Sequence, residues 1–187
     1  MPLLFRKAGP ADTAAAQAVY RRIIDHLAVT ADFPHWHTEN HPAPEQVERW
    51  VRAGDLYLAV TEQDDHPQDG DAAGERVAGA VVLDHAAPEA YRAASWAIEA
   101  AAEEVLVVHV LGVDPGFLRQ GVARFLVDAA LDVARQKGCR TIRLDAYVEN
   151  TPAREFYASH GFTDLGVHTV RYEGTDLNRF HLFEYVL

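Results

Sequence analysis

Cysteine is almost absent. Cys139 is the one cysteine in 187 residues, so no internal disulfide can staple the fold and stability must come from burial. Long apolar runs are missing too, and nothing approaches the ~18 consecutive apolar residues that a membrane-spanning helix needs. With no secretory leader pattern at the start, these absences set the expectation of a cytoplasmic protein with no membrane partner. Basic residues are in deficit, 17 Lys and Arg against 28 Asp and Glu, for a formal net charge of −11. A surface that tracks nucleic-acid phosphates needs clustered Lys and Arg, so no nucleic-acid partner is expected. An acidic surface favours a cationic or amine-bearing ligand instead. A metal pattern is also lacking: His35, His37 and His41 match no zinc spacing and have no Cys nearby, which makes them loop histidines with no metal expected.

What is present is an ordinary globular composition, 49% apolar and 24% charged, in a length that suits one well-buried domain over residues 1–187. Leu3 to Arg6 is a short apolar opening. Pro10-Ala11-Asp12 then starts a helix with Ala15, Val19, Ile23 and Leu27 on one face. Thr30 to Pro44 is irregular, and Pro44 opens a second helix carrying Val47, Trp50 and Val51 that stops at Gly54. Leu56 to Val60 and Val77 to Leu83 read as strands joined by the acidic loop Glu62 to Glu75. The Ala-rich stretch Ala86 to Ala102, with Tyr91 and Trp96, is a helical or irregular flap. Val105 to Val113 is nearly continuously apolar, as in a strand covered on both faces. Gly121 to Lys137 is the strongest helix, with Val122, Phe125, Leu126, Ala129 and Val133 as its apolar face and Gly138 as its cap. Ile142 to Val148, Phe162 to Val170 and Phe180 to Val186 add further strands to a mixed α/β sheet of about seven.

The stretch Val105 to Gly166 organises the rest. A strand, VLVVHVLGV, enters the turn DPGFLRQGVA, and a helix follows. Free N–H groups and the positive end of the helix dipole then face whatever lies over the turn, which suits an anion, most simply phosphate. Gly116 and Gly121 have Walker A spacing, but Val122 and Ala123 stand at the Lys and Ser/Thr positions, so nothing reaches the β/γ-phosphates or holds Mg²⁺, which argues against a nucleotide triphosphatase. No G-x-G-x-x-G follows a strand, which removes the support for a dinucleotide site.

The hydrophobic strand, Val113-Asp114-Pro115 and Arg119-Gln120-Gly121-Val122-Ala123 at a helix start resemble motif A of the GCN5-related N-acetyltransferases (GNAT). Asn150-Thr151-Pro152-Ala153-Arg154-Glu155-Phe156-Tyr157, closing with His160-Gly161-Phe162, resembles the family's motif B. The two motifs stand in the right order, separated by one helix and one strand, over about a third of the chain. The family usually has Gln or Arg where this chain has Leu118.

The resemblance implies an α/β (α+β) fold, with a mixed, mostly antiparallel sheet, flanking helices and splayed central strands. It implies acetyl-CoA as co-substrate, its pyrophosphate held by Leu118, Arg119, Gln120, Gly121, Val122, Ala123 and Arg124. The pantetheine arm would run along Leu111, Gly112 and Val113, with a main-chain N–H near Leu111 or Gly112 as oxyanion donor and Asn150 and Ala153 as further contacts. Asn150 could equally cap a helix. Tyr157 is the candidate proton donor to the leaving thiolate, against the alternative of a ring packed on the sheet. His109, two residues before Leu111 and so on the same strand face, is the candidate base, against an equally weighted structural histidine. Glu149 and Asp145 compete for that role, or are solvated strand-end charges. Trp36 and Trp96, with Glu149, are candidate acceptor contacts, with core anchoring as the stronger alternative for the indoles. The acceptor would be a small-molecule or peptide amine, and a homodimer stays open. An acyl-CoA-binding regulatory or sensor module without transferase activity is the competing reading.

Overall fold

Proline and glycine set the boundaries of the first helices. Pro10 opens a 3-10 turn, Pro10–Asp12, that leads into helix α1, Thr13–Ala28. Helix α2, Pro44–Ala53, has Pro44 at its first position and ends at Gly54, whose φ of 78° is a left-handed cap that favours glycine. The computed structural model describes residues 2–31, 33–36, 41–62, 75–172 and 176–187. His37 and the interior of the acidic loop Glu62 to Glu75 lie outside the described residues.

Seven strands, β1 Leu4–Lys7, β2 Leu56–Glu62, β3 Glu75–Asp84, β4 Val105–Val113, β5 Thr141–Tyr147, β6 Thr163–Thr169 and β7 Arg179–Val186, form one sheet in the order β1-β2-β3-β4-β5-β7-β6. The β1–β2, β2–β3, β5–β7 and β6–β7 ladders are antiparallel and β4–β5 is parallel, so the expected mixed, mostly antiparallel sheet is present. The parallel ladder joins only Val105, Leu106 and Val107 to Thr141, Ile142 and Arg143, while both strands run on beyond it. Helices α3, Val122–Gln136, and α4, Thr151–Ser159, follow β4 and β5.

The chain divides into two compact units. The first comprises Met1–Asp32, Trp36–Leu83 and His109–Ala130; the second comprises Phe33–His35, Asp84–Val108 and Leu131–Leu187. In the first, Ala15, Val19, Tyr20 and Ile23 of α1 and Val47 and Val51 of α2 bury against Leu56, Leu58, Val60, Ala80 and Val82 of the sheet. Each fully buried Leu, Ile or Val contributes roughly 1.5–3 kcal/mol relative to exposure. In the second, Tyr91, Val105, Val107, Val170, Phe180 and Leu182 make a separate core. The connection between β3 and β4 runs irregularly through two 3-10 turns, Glu89–Ala93 and Ala102–Glu104.

The α3 face differs from the sequence reading. Its buried residues are Val122, Leu126, Val127, Ala130, Leu131 and Ala134, a stripe rotated from the expected one. Phe125 sits at the stripe's margin, half-buried, with its ring edge-on to Phe5 at 6.4 Å. Tertiary packing chose among several apolar positions that periodicity alone could not rank.

Candidate active site

The turn between β4 and α3 is shaped by main-chain conformation. Phe117 N–H donates to Asp114 O at 2.8 Å and closes the 3-10 turn Pro115–Phe117. Arg119 at φ 60° and Gly121 at φ 84° then reverse the chain within three residues. The first i→i−4 bond of α3 runs from Phe125 N–H to Gly121 O at 3.0 Å. The N–H groups of Val122, Ala123 and Arg124 therefore precede the helical ladder, and their dipoles face outward from the turn. A Cβ built on Gly121 would meet nothing within 4 Å, so the backbone is open to a close-approaching ligand. Leu118 is 44% exposed, and Gln120 is spent on the turn itself, its Nε2 donating to Gly116 O at 3.0 Å. Arg124 lies 3.7 Å from Asp128 across one helical turn.

Asp114 anchors this turn from below. It is 1% exposed, accepts from Gly116 N–H at 2.8 Å and from Arg22 Nε at 2.6 Å, and lies 3.7 Å from Arg76 Nη2. Arg76 also covers the Phe117 ring at 4.6 Å. A Cβ on Gly116 would fall 2.8 Å from Arg76 Nη2, so a larger residue would displace the guanidinium from this position. Sequence reading missed both arginines. Asp114-Pro115-Gly116 signals a turn with an Asx bond, but Arg22 on α1 and Arg76 on β3 carry no local mark of their destination.

On β4 the backbone departs from a regular strand at Val110, whose φ is 49°. A β-branched residue there is a genuine outlier, held by the Tyr20 hydroxyl donating to Val110 O at 2.8 Å. Strand alternation is interrupted between His109 and Leu111, so the two-residue spacing does not by itself place them on one face. Gly112 is closely covered: a Cβ there would lie 2.7 Å from Ile23 Cδ1, which would have to move, and 3.4 Å from Trp36 Cζ3. Trp36 thus covers the main chain at Gly112 while packing edge-on to Tyr20 at 6.1 Å. His41 stands between two indoles, 6.4 Å from Trp36 and 6.1 Å from Trp50. Burial pushes its imidazole pKa down, against a bond with Gln46 that raises it, and the nearby His109 pushes it further down. His35 packs elsewhere, edge-on to Tyr147 at 5.6 Å.

In the second unit, Asn150 caps α4: its side-chain oxygen accepts from Ala153 N–H at 3.2 Å, so that amide and that oxygen are already engaged with each other. Tyr157 is 8% exposed and packs on Phe162 and Phe183 at 5.6 and 5.8 Å. Burial first, and the charge of Asp145 second, push its hydroxyl pKa up, which keeps it a proton donor at neutral pH. That hydroxyl makes no hydrogen bond among the described residues. Glu149 is exposed at the β5 end.

Two residues for which the sequence left alternatives open make defined contacts here. Asp145 is no solvated strand-end charge, because the hydroxyls of Tyr91 and Tyr172 both donate to its Oδ2, at 2.7 and 2.5 Å. Trp96 is an anchor: its Nε1 donates to Tyr91 O at 2.7 Å and Arg143 covers its ring at 4.2 Å. Arg143 in turn pairs with Glu184 at 3.0 Å, and Glu184, 2% exposed, also accepts from Ala97 N–H at 2.6 Å and Thr141 Oγ1 at 3.1 Å. Among the described residues no three His, Cys, Asp or Glu side chains cluster to hold a metal, and no helix is long and apolar enough to cross a membrane.

The architecture is that of solved acetyltransferases. Arabidopsis thaliana NAA60 in complex with acetyl-CoA aligns with a TM-score of 0.68 at 18% identity, covering 100% of this chain and 99% of that one. Ard1 from Thermoplasma volcanium aligns at 0.66 and 16% identity over 100% and 99%. The acetyltransferase (GNAT) family model matches residues 24–162, and the chain belongs to that family. A 61-residue stretch is 46% identical to mycothiol acetyltransferase from Beutenbergia cavernae, 33% of this chain and 20% of that protein. An 83-residue stretch is 29% identical to the ribosomal protein bS18 alanine N-acetyltransferase of Escherichia coli, 44% of this chain and 56% of that protein. The chain therefore spans between a fifth and just over half of the length of these relatives.

Proposed function

We propose that the chain is an acetyl-CoA-dependent N-acetyltransferase that moves the acetyl group directly from the thioester to an amine of a small molecule or peptide. The observation that carries this is the turn 114–124. Two left-handed residues, one of them an open glycine, present the main-chain N–H groups of Val122 to Arg124 ahead of the first helical bond, in a chain of the GNAT family. A pyrophosphate suits that cradle, since it offers two negative groups to aligned donors. The structural relative with acetyl-CoA bound supports the same cofactor.

The chemistry follows by role. The amine nitrogen attacks the thioester carbonyl, charge gathers on its oxygen, and a main-chain N–H at Leu111 or Gly112 stabilises it. Collapse breaks the C–S bond, and Tyr157 supplies the proton that the departing thiolate takes. An alkylammonium has a pKa near ~10, so a base must first remove a proton; His109 is the first candidate, with Asp145, Glu149 and water behind it. Trp36, which lies over Gly112, would wall the acceptor approach. Asn150 would still offer its amide N–H₂ to the pantetheine while its oxygen caps α4. The reaction is assigned to the cytoplasm on the scarcity of cysteine.

Isothermal titration with acetyl-CoA, alongside thiol release over a panel of amines, tests this reading. Micromolar binding with amine-dependent thiol release is expected. Binding without turnover across the panel would favour an acyl-CoA sensor, and absence of binding would remove both.

A further inference from the structure

The connection between β3 and β4 packs beside the end of β6, and the two enclose a cleft of about 530 Å³ lined by Pro88, Glu89, Arg92 and Ala93 on one side and Thr169 and Arg171 on the other. The size falls within the ~300–1,000 Å³ of small-molecule sites. Arg92 and Arg171 are exposed, and neither makes an ion pair with a described residue. In a chain carrying 28 acids against 17 bases, two guanidinium groups that line one cleft and are in no ion pair among the described residues are a local reversal of charge. Glu89 reduces the balance to one net positive charge, which matches a single carboxylate or phosphate monoester better than a polyanion.

The walls are fixed rather than loose. Tyr91, between the lining residues Ala90 and Arg92, and Tyr172, next to Arg171, both donate to Asp145 Oδ2 at 2.7 and 2.5 Å. Ala97 N–H on Glu184 at 2.6 Å, Arg143 Nη2 on Ile98 O at 2.9 Å and Arg140 Nη1 on Glu99 O at 2.9 Å hold the same connection along its length. The two arginines therefore project from backbone segments that are bound to one carboxylate before any ligand arrives.

We propose that this cleft is an anion subsite for the acceptor: Arg92 and Arg171 hold a carboxylate or phosphate monoester on the molecule whose amine is acetylated. Naming the ligand as acceptor rests on the transferase reading above; the site itself does not. The substrate class becomes amines that also carry one anionic group.

The test is isothermal titration of the full chain with matched pairs, amino acids against their α-amides and phosphoethanolamine against ethanolamine, for wild type and for the double variant Arg92→Ala with Arg171→Ala. The anionic member of a pair is expected to bind more than tenfold tighter. The double variant should lose that preference while keeping its melting temperature and acetyl-CoA affinity, and Arg92→Lys with Arg171→Lys should retain part of it. Equal affinity within both pairs, absence of binding by all four kinds of probe, or a preference that survives the double alanine variant would overturn the inference. Thiol release from acetyl-CoA is measured separately. Cleft binding without release would leave the anion subsite standing and sink the transferase reading.

Discussion

The turn 114–124 and the connection 85–104 are both irregular, yet they are held in opposite ways. The turn is defined mainly by backbone: a 3-10 closure, two left-handed residues and one helix start, with Asp114 and Gln120 adding side-chain bonds to Gly116. The connection is defined by side chains, namely Tyr91 on Asp145, Trp96 under Arg143, and Glu184 receiving Ala97, Thr141 and Arg143. Backbone-defined structure leaves glycines and prolines at fixed spacing. Side-chain networks leave ordinary residues scattered over many tens of positions, here from Tyr91 to Glu184.

Substitutions sharpen that contrast. The largest effect is expected at Tyr157. Tyr157→Phe removes a hydroxyl that makes no bond among the described residues and keeps the ring packing, so stability should barely move while kcat falls ~10²- to 10⁴-fold. A kcat within threefold of wild type, on an amine that is turned over, would assign the proton to water. Next come two of the buried carboxylates, Glu184 and Asp114. Glu184→Ala strands Arg143 in a buried site, at a cost of roughly 3–5 kcal/mol, or a fall in Tm of roughly 6–20 °C by calorimetry. Acetyl-CoA affinity should stay unchanged at temperatures where the variant is folded. Asp114→Ala should lose stability on a similar scale and weaken acetyl-CoA binding as well, because its carboxylate fixes the turn. Equal effects of the two variants on acetyl-CoA affinity would erase the distinction between the regions.

Smaller effects follow. Asn150→Ala removes the α4 cap and should cost about 0.5–2 kcal/mol by urea unfolding, less than either buried carboxylate. The smallest is a pH dependence. His41 is held below its ordinary pKa, so the unfolded chain takes up its proton first. Its contribution is intact above the unfolded value of ~6.5 and is lost as pH falls below it. His41→Gln should flatten that part of the stability profile between pH 7.5 and 5.5. A slope identical to wild type would place the proton uptake on another histidine.

Most of the fold was legible in the sequence, because strands such as Val105 to Val113 and helices closed by Gly54 and Gly138 carry their own periodicity and stops. Motifs A and B likewise located the turn and the α4 cap. What was not legible depends on contacts distant in sequence. Asp145 read as a candidate base or a solvated strand-end charge because Tyr91 and Tyr172 lie 54 and 27 residues away. Arg22 reaches Asp114 across 92 residues. The left-handed Val110 breaks a local preference that any reading of a β-branched run must assume. The buried α3 stripe, Val122, Leu126, Val127, Ala130, Leu131 and Ala134, likewise depends on packing partners distant in sequence.

The central claim is that the turn 114–124 binds the pyrophosphate of acetyl-CoA through its main chain, and Gly121→Asp tests it most directly. Aspartate tolerates a left-handed φ better than most residues, and a Cβ at this position meets no atom within 4 Å, so the variant should fold. Its carboxylate would occupy the space of the phosphates and repel them. Isothermal titration should show acetyl-CoA affinity lower by more than tenfold, over ~1.4 kcal/mol, with circular dichroism unchanged. Wild-type affinity in a folded Gly121→Asp protein would contradict the account and place the phosphates elsewhere.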